Sequence, residues 1–159
     1  MIRAVTAADA LAICNIYNHY VLNTTISFEE EAVDAEVMAG RIAAATLPWL
    51  VWEEDGAVLA YAYASPWRVR PAYRFAAEGS VYVAAGATGR KLGLAVYQRL
   101  LAALSELGLH SVIGGIAQPN AASVALHEKL GFRKVAHFEE VGWKQGRWID
   151  VGYWQLKLA

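Results

Sequence analysis

Apolar residues recur along this chain with two different periods, and the switches between them mark its elements. Ile2 to Val5 reads as a short strand, followed by a helix with Thr6 or Asp9 as N-cap that runs to about Tyr20. Leu11, Ile13, Ile16, Tyr17 and Tyr20 follow the three-to-four spacing of a buried face. Thr24 to Phe28 reads as extended. Helical spacing returns from Val33 to Ala45 through Val37, Met38 and Ile42, and Pro48 ends it. Trp49 to Trp52 and Ala57 to Ala64 flank Glu53-Glu54-Asp55-Gly56, a hairpin signal, because Asp-Gly suits a tight turn between β-favouring runs. A third strand covers about Glu78 to Ala84. Before it, Ser65 to Ala77 is polar and aromatic and carries Arg68, Arg70, Tyr73 and Arg74, the kind of loop that makes substrate contacts at the end of a sheet.

Gly89 to Leu107 is the clearest helix, with Leu92, Val96, Leu100, Leu101 and Leu104 on one side and Gly108 as its stop. His110 to Ala117 is a strand. Asn120 caps a helix that runs through Leu130 and is closed by Gly131. Phe132 to Val141 and Trp148 to Leu158 read as antiparallel strands joined at Lys144-Gln145-Gly146-Arg147. The order is strand, two helices, three strands, helix, strand, helix, two strands, an α/β (α+β) arrangement. No repeat or linker divides residues 1–159, so a single domain is expected.

Composition narrows the classes. With 57% hydrophobic residues the chain can bury a sizeable core, and 14 basic against 15 acidic side chains leave no field to hold a polyanion. Nucleic acid and membrane are therefore not expected partners. Every apolar run is interrupted by charge, and the N-terminus lacks a signal-peptide pattern, so a cytoplasmic location is expected. Cys14 is the only cysteine and sits in an apolar run, which reads as core and excludes an internal disulfide. His19, His110 and His137 have no metal-like spacing, and no metal is expected.

Two segments carry candidate chemistry. Val81 to Gly93 passes from an apolar strand through a glycine-containing turn into the long helix, a junction that aims free N–H groups and a positive helix end at one spot and suits a pyrophosphate. Arg90 and Lys91 add charge there. Asn120 to Phe132 begins a short helix with Asn and ends it with Gly-Phe.

With Glu78 in the strand before the turn, these segments in this order resemble the GNAT superfamily of acetyl-CoA-dependent acetyltransferases, over essentially the whole chain. The phosphinothricin and methionine sulfoximine acetyltransferase group is the most similar. It is marked by Ile16-Tyr17-Asn18-His19-Tyr20, Thr25-Ile26-Ser27-Phe28, Ala64 to Arg68 with Ala72-Tyr73, Glu78 to Val83, and Gly146 to Gly152. The resemblance implies a twisted, mostly antiparallel mixed sheet of about seven strands flanked by about four helices. It also implies acetyl-CoA as cosubstrate, bound by Val81, Tyr82, Val83, Thr88, Gly89, Arg90, Lys91, Leu92, Gly93, Asn120 and Ser123. One departure stands out: the phosphate loop usually reads Gln or Arg, any, any, Gly, any, Gly or Ala, so Thr88 and Lys91 are off pattern, and Lys91 is strained if its φ must be positive.

For catalysis, the resemblance puts a general base at Glu78, whose pKa a strand end beside apolar residues should raise. The plainer reading is a solvated edge-strand glutamate. The resemblance also assigns the Val83 N–H to the thioester oxygen and puts His127 where many members carry a tyrosine acid. His127 is then either that acid, as an imidazolium, or a structural residue. Phe28, Arg70, Tyr73, Arg74 and Tyr82 are the expected substrate contacts, the arginines being otherwise a solvated loop. A homodimer is implied, with Trp148 and its neighbours as candidate contact; the six tryptophans otherwise read as core. The implied reaction is acetyl transfer to the α-amino group of phosphinothricin, methionine sulfoximine or arsinothricin, a resistance reaction. The alternatives are a protein or peptide N-acetyltransferase and a CoA-binding sensor without catalysis.

Overall fold

Alternation along the central strands decides which helix lies on which face. In the computed structural model, which describes residues 1–158, β1 (Ile2–Ala4), β2 (Trp49–Glu54), β3 (Ala57–Pro66), β4 (Ala76–Val83), β5 (Ser111–Ala117), β6 (Arg133–Lys144) and β7 (Arg147–Lys157) form one sheet in the order β1-β2-β3-β4-β5-β7-β6. Ala60, Ala62 and Ala64 of β3 face the helix α3 (Leu92–Glu106), packing with Val96, Leu100 and Leu104. Alanine at three alternate positions lets the helix approach the sheet closely. Tyr61 and Tyr63 point the other way, towards α1 (Ala10–Asn23) and α2 (Ala35–Ala44), where Tyr61 joins Ile13, Tyr17, Val21 and Met38 in a second core. The fourth helix, α4 (Ala121–Lys129), is capped by Asn120, whose Oδ1 accepts from Ser123 N at 3.1 Å.

The mixed seven-stranded sheet and its four helices match the expected fold, and the boundaries differ in instructive places. Leu11 is 61% exposed, because it lies about 200° around the helix from Ile13, on the side opposite the buried stripe. Val37 is exposed for a similar reason, since its neighbour Met38 takes the inward position. The helix expected from Gly89 begins at Leu92, because Lys91 is left-handed (φ 63°) and forms the N-cap. β4 starts at Ala76, two residues before Glu78. The Asp55-Gly56 turn of β2 and β3 has positive φ at both residues, as that hairpin type requires.

Thr24 to Phe28 was expected to be extended and instead bends irregularly, with no strand beside it. Side chains of the β6–β7 hairpin and of α1 satisfy it: Lys144 Nζ donates to Ser27 O (2.5 Å), Arg147 to Thr25 Oγ1 (3.2 Å), and Tyr17 of α1 and Ser27 share a hydroxyl hydrogen bond at 2.7 Å. Lys144 is buried by this contact. The segment is thus strapped across the sheet beside the strand break described next.

Every neighbouring pair of strands is antiparallel except β4 and β5, which are parallel and pair only over Ala76–Glu78 with Ser111–Ile113. Beyond Glu78 and Ile113 they part, while β4 continues on β3 and β5 on β7. The result is a fork in the middle of the sheet.

Candidate active site

Which backbone groups face the fork follows from the register. Ala84 N–H donates to Leu59 C=O and Trp67 N–H to Ala76 C=O, so the even-numbered residues of β4 are bonded to β3. The odd-numbered ones turn to β5: Phe75 C=O accepts from Ser111 N–H below the fork. Above it, Val81 and Val83 present N–H and C=O groups, and Gly79 its C=O, to a gap instead of a strand. This is an edge inside a sheet, ready to pair with an extended, amide-bearing ligand. The Val83 carbonyl is met by the Tyr20 hydroxyl, which leaves its N–H as a donor. Gly79 to Tyr82, Ile116, Asn120, Ser123 and His127 line the inner gap, with Ile26 of the strapped segment across its mouth.

Outward, the gap opens into a groove between the start of α3 and α4, lined by Thr88, Gly89, Lys91, Leu92 and Gly93 on one side and Ala122, Leu126 and Lys129 on the other. The Lys91 N-cap offers no side-chain capping bond, so the first N–H groups of α3 are left for a ligand. The expected cation Arg90 is turned away, gripped by both carboxylate oxygens of Glu54 at 2.8 and 2.9 Å. Lys91 and Lys129 supply the positive charge instead. Free amides along the gap, a helix N-terminus and two ammonium groups in one continuous channel suit pantetheine and pyrophosphate.

Glu78 is the last paired residue of β4 on both sides, facing Ser65 on β3 and Ile113 on β5. With Tyr82 it lies on the α1 face, where Tyr82 packs against Tyr17 and Tyr20. A cavity holds Glu78 among Ile26, Phe28, Gly115, Val151 and Tyr153. Burial among these apolar walls raises its pKa, and the charge of Arg68 opposes that only in part. A carboxylate with raised proton affinity, at the base of a gap that leads to a helix N-terminus, is placed for proton abstraction.

The other expected site residues divide. Phe28 and Tyr82 reach the cavity or the gap beside it. Arg70, Tyr73 and Arg74 line neither. Arg74 stacks on Phe75 and donates to Pro71 O, and Tyr73 is exposed. The loop still borders the cavity through Trp67, packed edge-on against Tyr153 at 5.8 Å, with Arg68 over the indole. His127 is 4% exposed and both ring nitrogens are engaged, Nδ1 with Ser123 O (2.8 Å) and Nε2 with the Tyr97 hydroxyl (3.2 Å). Burial lowers its pKa, so the imidazolium form expected of a proton donor is disfavoured here. Ile26, Tyr20, Tyr97 and Tyr153 were not singled out from the sequence, because only the fold brings their distant segments to the fork. Among the described residues no cluster of His, Cys, Asp and Glu side chains is arranged to hold a metal.

A split sheet that exposes amides, a phosphate-type groove and a half-buried carboxylate of raised proton affinity together define an acyl-CoA-dependent N-acyltransferase. The chain belongs to the GNAT acetyltransferase family: the acetyltransferase (GNAT) domain model matches residues 2–152. It is 40% identical to the phosphinothricin N-acetyltransferase of Streptomyces viridochromogenes over 97% of this chain and 85% of that protein. It is 39% identical to the L-methionine sulfoximine/L-methionine sulfone acetyltransferase of Salmonella typhimurium, over 99% and 94%. A Salmonella typhimurium acetyltransferase solved with acetyl-CoA superposes with a TM-score of 0.97 at 38% identity, over 100% of this chain and 94% of that one. The protein is an acetyl-CoA-dependent N-acetyltransferase.

Two predictions follow from the groove and the base. Lys91→Gly removes a left-handed non-glycine residue, so the ligand-free protein should gain up to about 1 kcal/mol, while the lost ammonium raises the acetyl-CoA Kd about 3- to 10-fold and flattens its salt dependence. Calorimetric titration at low and high salt checks this, and an unchanged Kd would remove Lys91 from the groove's chemistry. For Glu78, a raised folded-state pKa means a contribution to stability that is full below the ordinary value of 4.5 and lost as pH rises through the raised value. Glu78→Gln should therefore raise the melting temperature at neutral pH, and the difference should vanish in acid.

Proposed function

We propose that this enzyme acetylates the α-amino group of a small amino-acid analogue with a second acid group, of the phosphinothricin, methionine sulfoximine or arsinothricin type. The reaction detoxifies by removing a charged amine that a target enzyme would recognise. The observation that carries the reading is the half-buried carboxylate of Glu78 at the fork, in an apolar cavity with a cationic loop at its rim. The names of the phosphinothricin and methionine sulfoximine relatives support the same substrate class.

The residues divide the work as follows. Glu78 takes a proton from the substrate ammonium, directly or through a water, and frees the nitrogen lone pair. Val83 N–H, on the gap-facing side of β4, stabilises the oxyanion as the nitrogen adds to the thioester carbonyl. Val81 and Val83 hold the pantetheine arm, while Thr88 to Gly93, Lys129, Asn120 and Ser123 hold the remainder of acetyl-CoA, the cosubstrate that supplies the activated acetyl group. The departing thiolate takes its proton from solvent, since His127 is held neutral. Phe28, Ile26 and Tyr153 pack on the aliphatic part of the substrate. Arg68 and Arg70, with Tyr73 and Arg74, meet its acid groups where they leave the cavity, a task for which guanidinium suits carboxylate and phosphinate alike.

The enzyme works as a cytoplasmic homodimer in this reading. Trp143 and Trp148 pack edge-on at 4.9 Å on the outer hairpin yet are 54% and 58% exposed, and Phe138 and Val141 of the same hairpin are exposed as well. That is an area a second copy would cover. Trp49 and Trp154, by contrast, are buried in the two cores.

The test is thiol release from acetyl-CoA against a panel of phosphinothricin, methionine sulfoximine, arsinothricin, ordinary amino acids and a lysine peptide. Turnover confined to the acidic analogues is expected, and Glu78→Gln should lower kcat by about 100-fold or more with little change in acetyl-CoA affinity. Turnover of the lysine peptide alone would replace this substrate class. On the hairpin, Trp148→Glu should shift the protein to monomer in sedimentation, and a dimer that survives it would place the interface elsewhere.

A further inference from the structure

The next pair in register beyond Glu78 and Ile113 would be Gly79 opposite Gly114. Both lack a Cβ at the point where the strands part, and in each case the missing atom's place is taken. A Cβ on Gly79 would lie 2.6 Å from Tyr97 Oη, and one on Gly114 would lie 2.6 Å from His127 Nε2. These two atoms are hydrogen-bonded to each other at 3.2 Å. A phenol from α3 and an imidazole from α4 thus meet at the crotch of the fork. Their rings stand edge to face at 5.2 Å and 89°, and Phe132 packs against both.

The proton inventory gives the pair a direction. Ser123 O only accepts, so the imidazole proton sits on Nδ1, Nε2 is the acceptor, and Tyr97 donates. Neither partner has slack, since Tyr97 is 0% exposed. A Cβ stands off the sheet, and both glycines face the α3 side with Val81, Val83, Val112 and Ile116, so the pair sits over the closed end of the fork from that side and touches both strands at once.

We propose that Tyr97 is a positioning residue for acetyl transfer. Its hydroxyl, locked to His127 against Gly79 and Gly114, wedges β4 from β5 and sets the width of the slot that receives the pantetheine arm and aligns the thioester with Glu78. The proposal rests on the acetyl-transfer reading for its kinetic consequence, and on the fork alone for its consequence for CoA binding.

The test is a cycle between Gly79→Ala and Tyr97→Phe, read by calorimetric CoA affinity, melting temperature and, with the best amine of the panel, kcat and KM. Tyr97→Phe should lower kcat about 10-fold or more while the amine KM stays within about 3-fold, because the amine binds on the opposite face of β4. Gly79→Ala should weaken CoA about 10-fold in the wild-type background and only about 2-fold in the Tyr97→Phe background, because the atom that the new methyl meets at 2.6 Å is then gone and the nearest ring carbons lie at 3.1 Å. Additive effects on CoA affinity, or an unchanged kcat in Tyr97→Phe, would overturn the wedge. In the second case the surviving turnover would still uphold acetyl transfer. If no amine of the panel is turned over, the acetyl-transfer reading fails and the CoA cycle decides the wedge by itself. Should Tyr97→Phe not fold, Gly79→Ala alone decides, and a CoA affinity equal to wild type overturns the proposal.

Discussion

Three residues of parallel pairing between β4 and β5, followed by none, are the constraint on which the rest of the molecule depends. Backbone amides inside a sheet are ordinarily satisfied by the next strand, and leaving them without partners in an apolar interior is costly. Here the strands part where two side chains meet over them on the α3 face, and the odd-numbered amides of β4 beyond that point form an open edge. Everything chemically useful lies along that edge. Glu78 is at its closed end, the Val83 N–H further out, and the N-terminus of α3 at its mouth.

The two faces of β4 divide the groove from the cavity of Glu78. Odd-numbered residues pack towards α3, so that Val81 and Val83 lie within reach of Gly93. Even-numbered ones place Glu78 and Tyr82 with the aromatic cluster of α1 and the strapped segment 24–28. The open strand edge and the cavity of Glu78 thus lie on different sides of one strand, the arrangement that the proposed reaction uses for cosubstrate and amine. One strand's alternation assigns opposite tasks to adjacent residues. The strap matters for the same reason: Ile26 and Phe28 wall the amine's cavity from a segment with no regular structure, held by Lys144 from the far hairpin.

The phosphate groove shows how a departure from the family pattern is accommodated. Lys91 adopts the left-handed backbone that glycine would take more easily, at a cost of about 1 kcal/mol, and α3 still begins in the geometry that a phosphate needs. Arg90 is engaged with Glu54 at the β2–β3 turn, so the charge in the groove comes from Lys91 and from Lys129 of α4.

The order of elements, the glycine turns, the Asn120 cap and the placement of Glu78 before a strand-turn-helix junction were all legible in the sequence. They depend on local preferences and on periodicity, which act over a few residues. Leu11 and the segment 24–28 were misread because a hydrophobic residue's spacing does not say which side of a helix the sheet will lie on, nor whether an extended run will find a strand beside it. Gly79 and Gly114 carried no signal of their own, and His127 stood open between a proton donor and a structural residue. Only the tertiary structure brings residues 79, 97, 114 and 127 to one point, where side chains of α3 and α4 meet over the two glycines at the end of the paired stretch. Contacts between segments so far apart in the chain follow from packing, and no local preference encodes them.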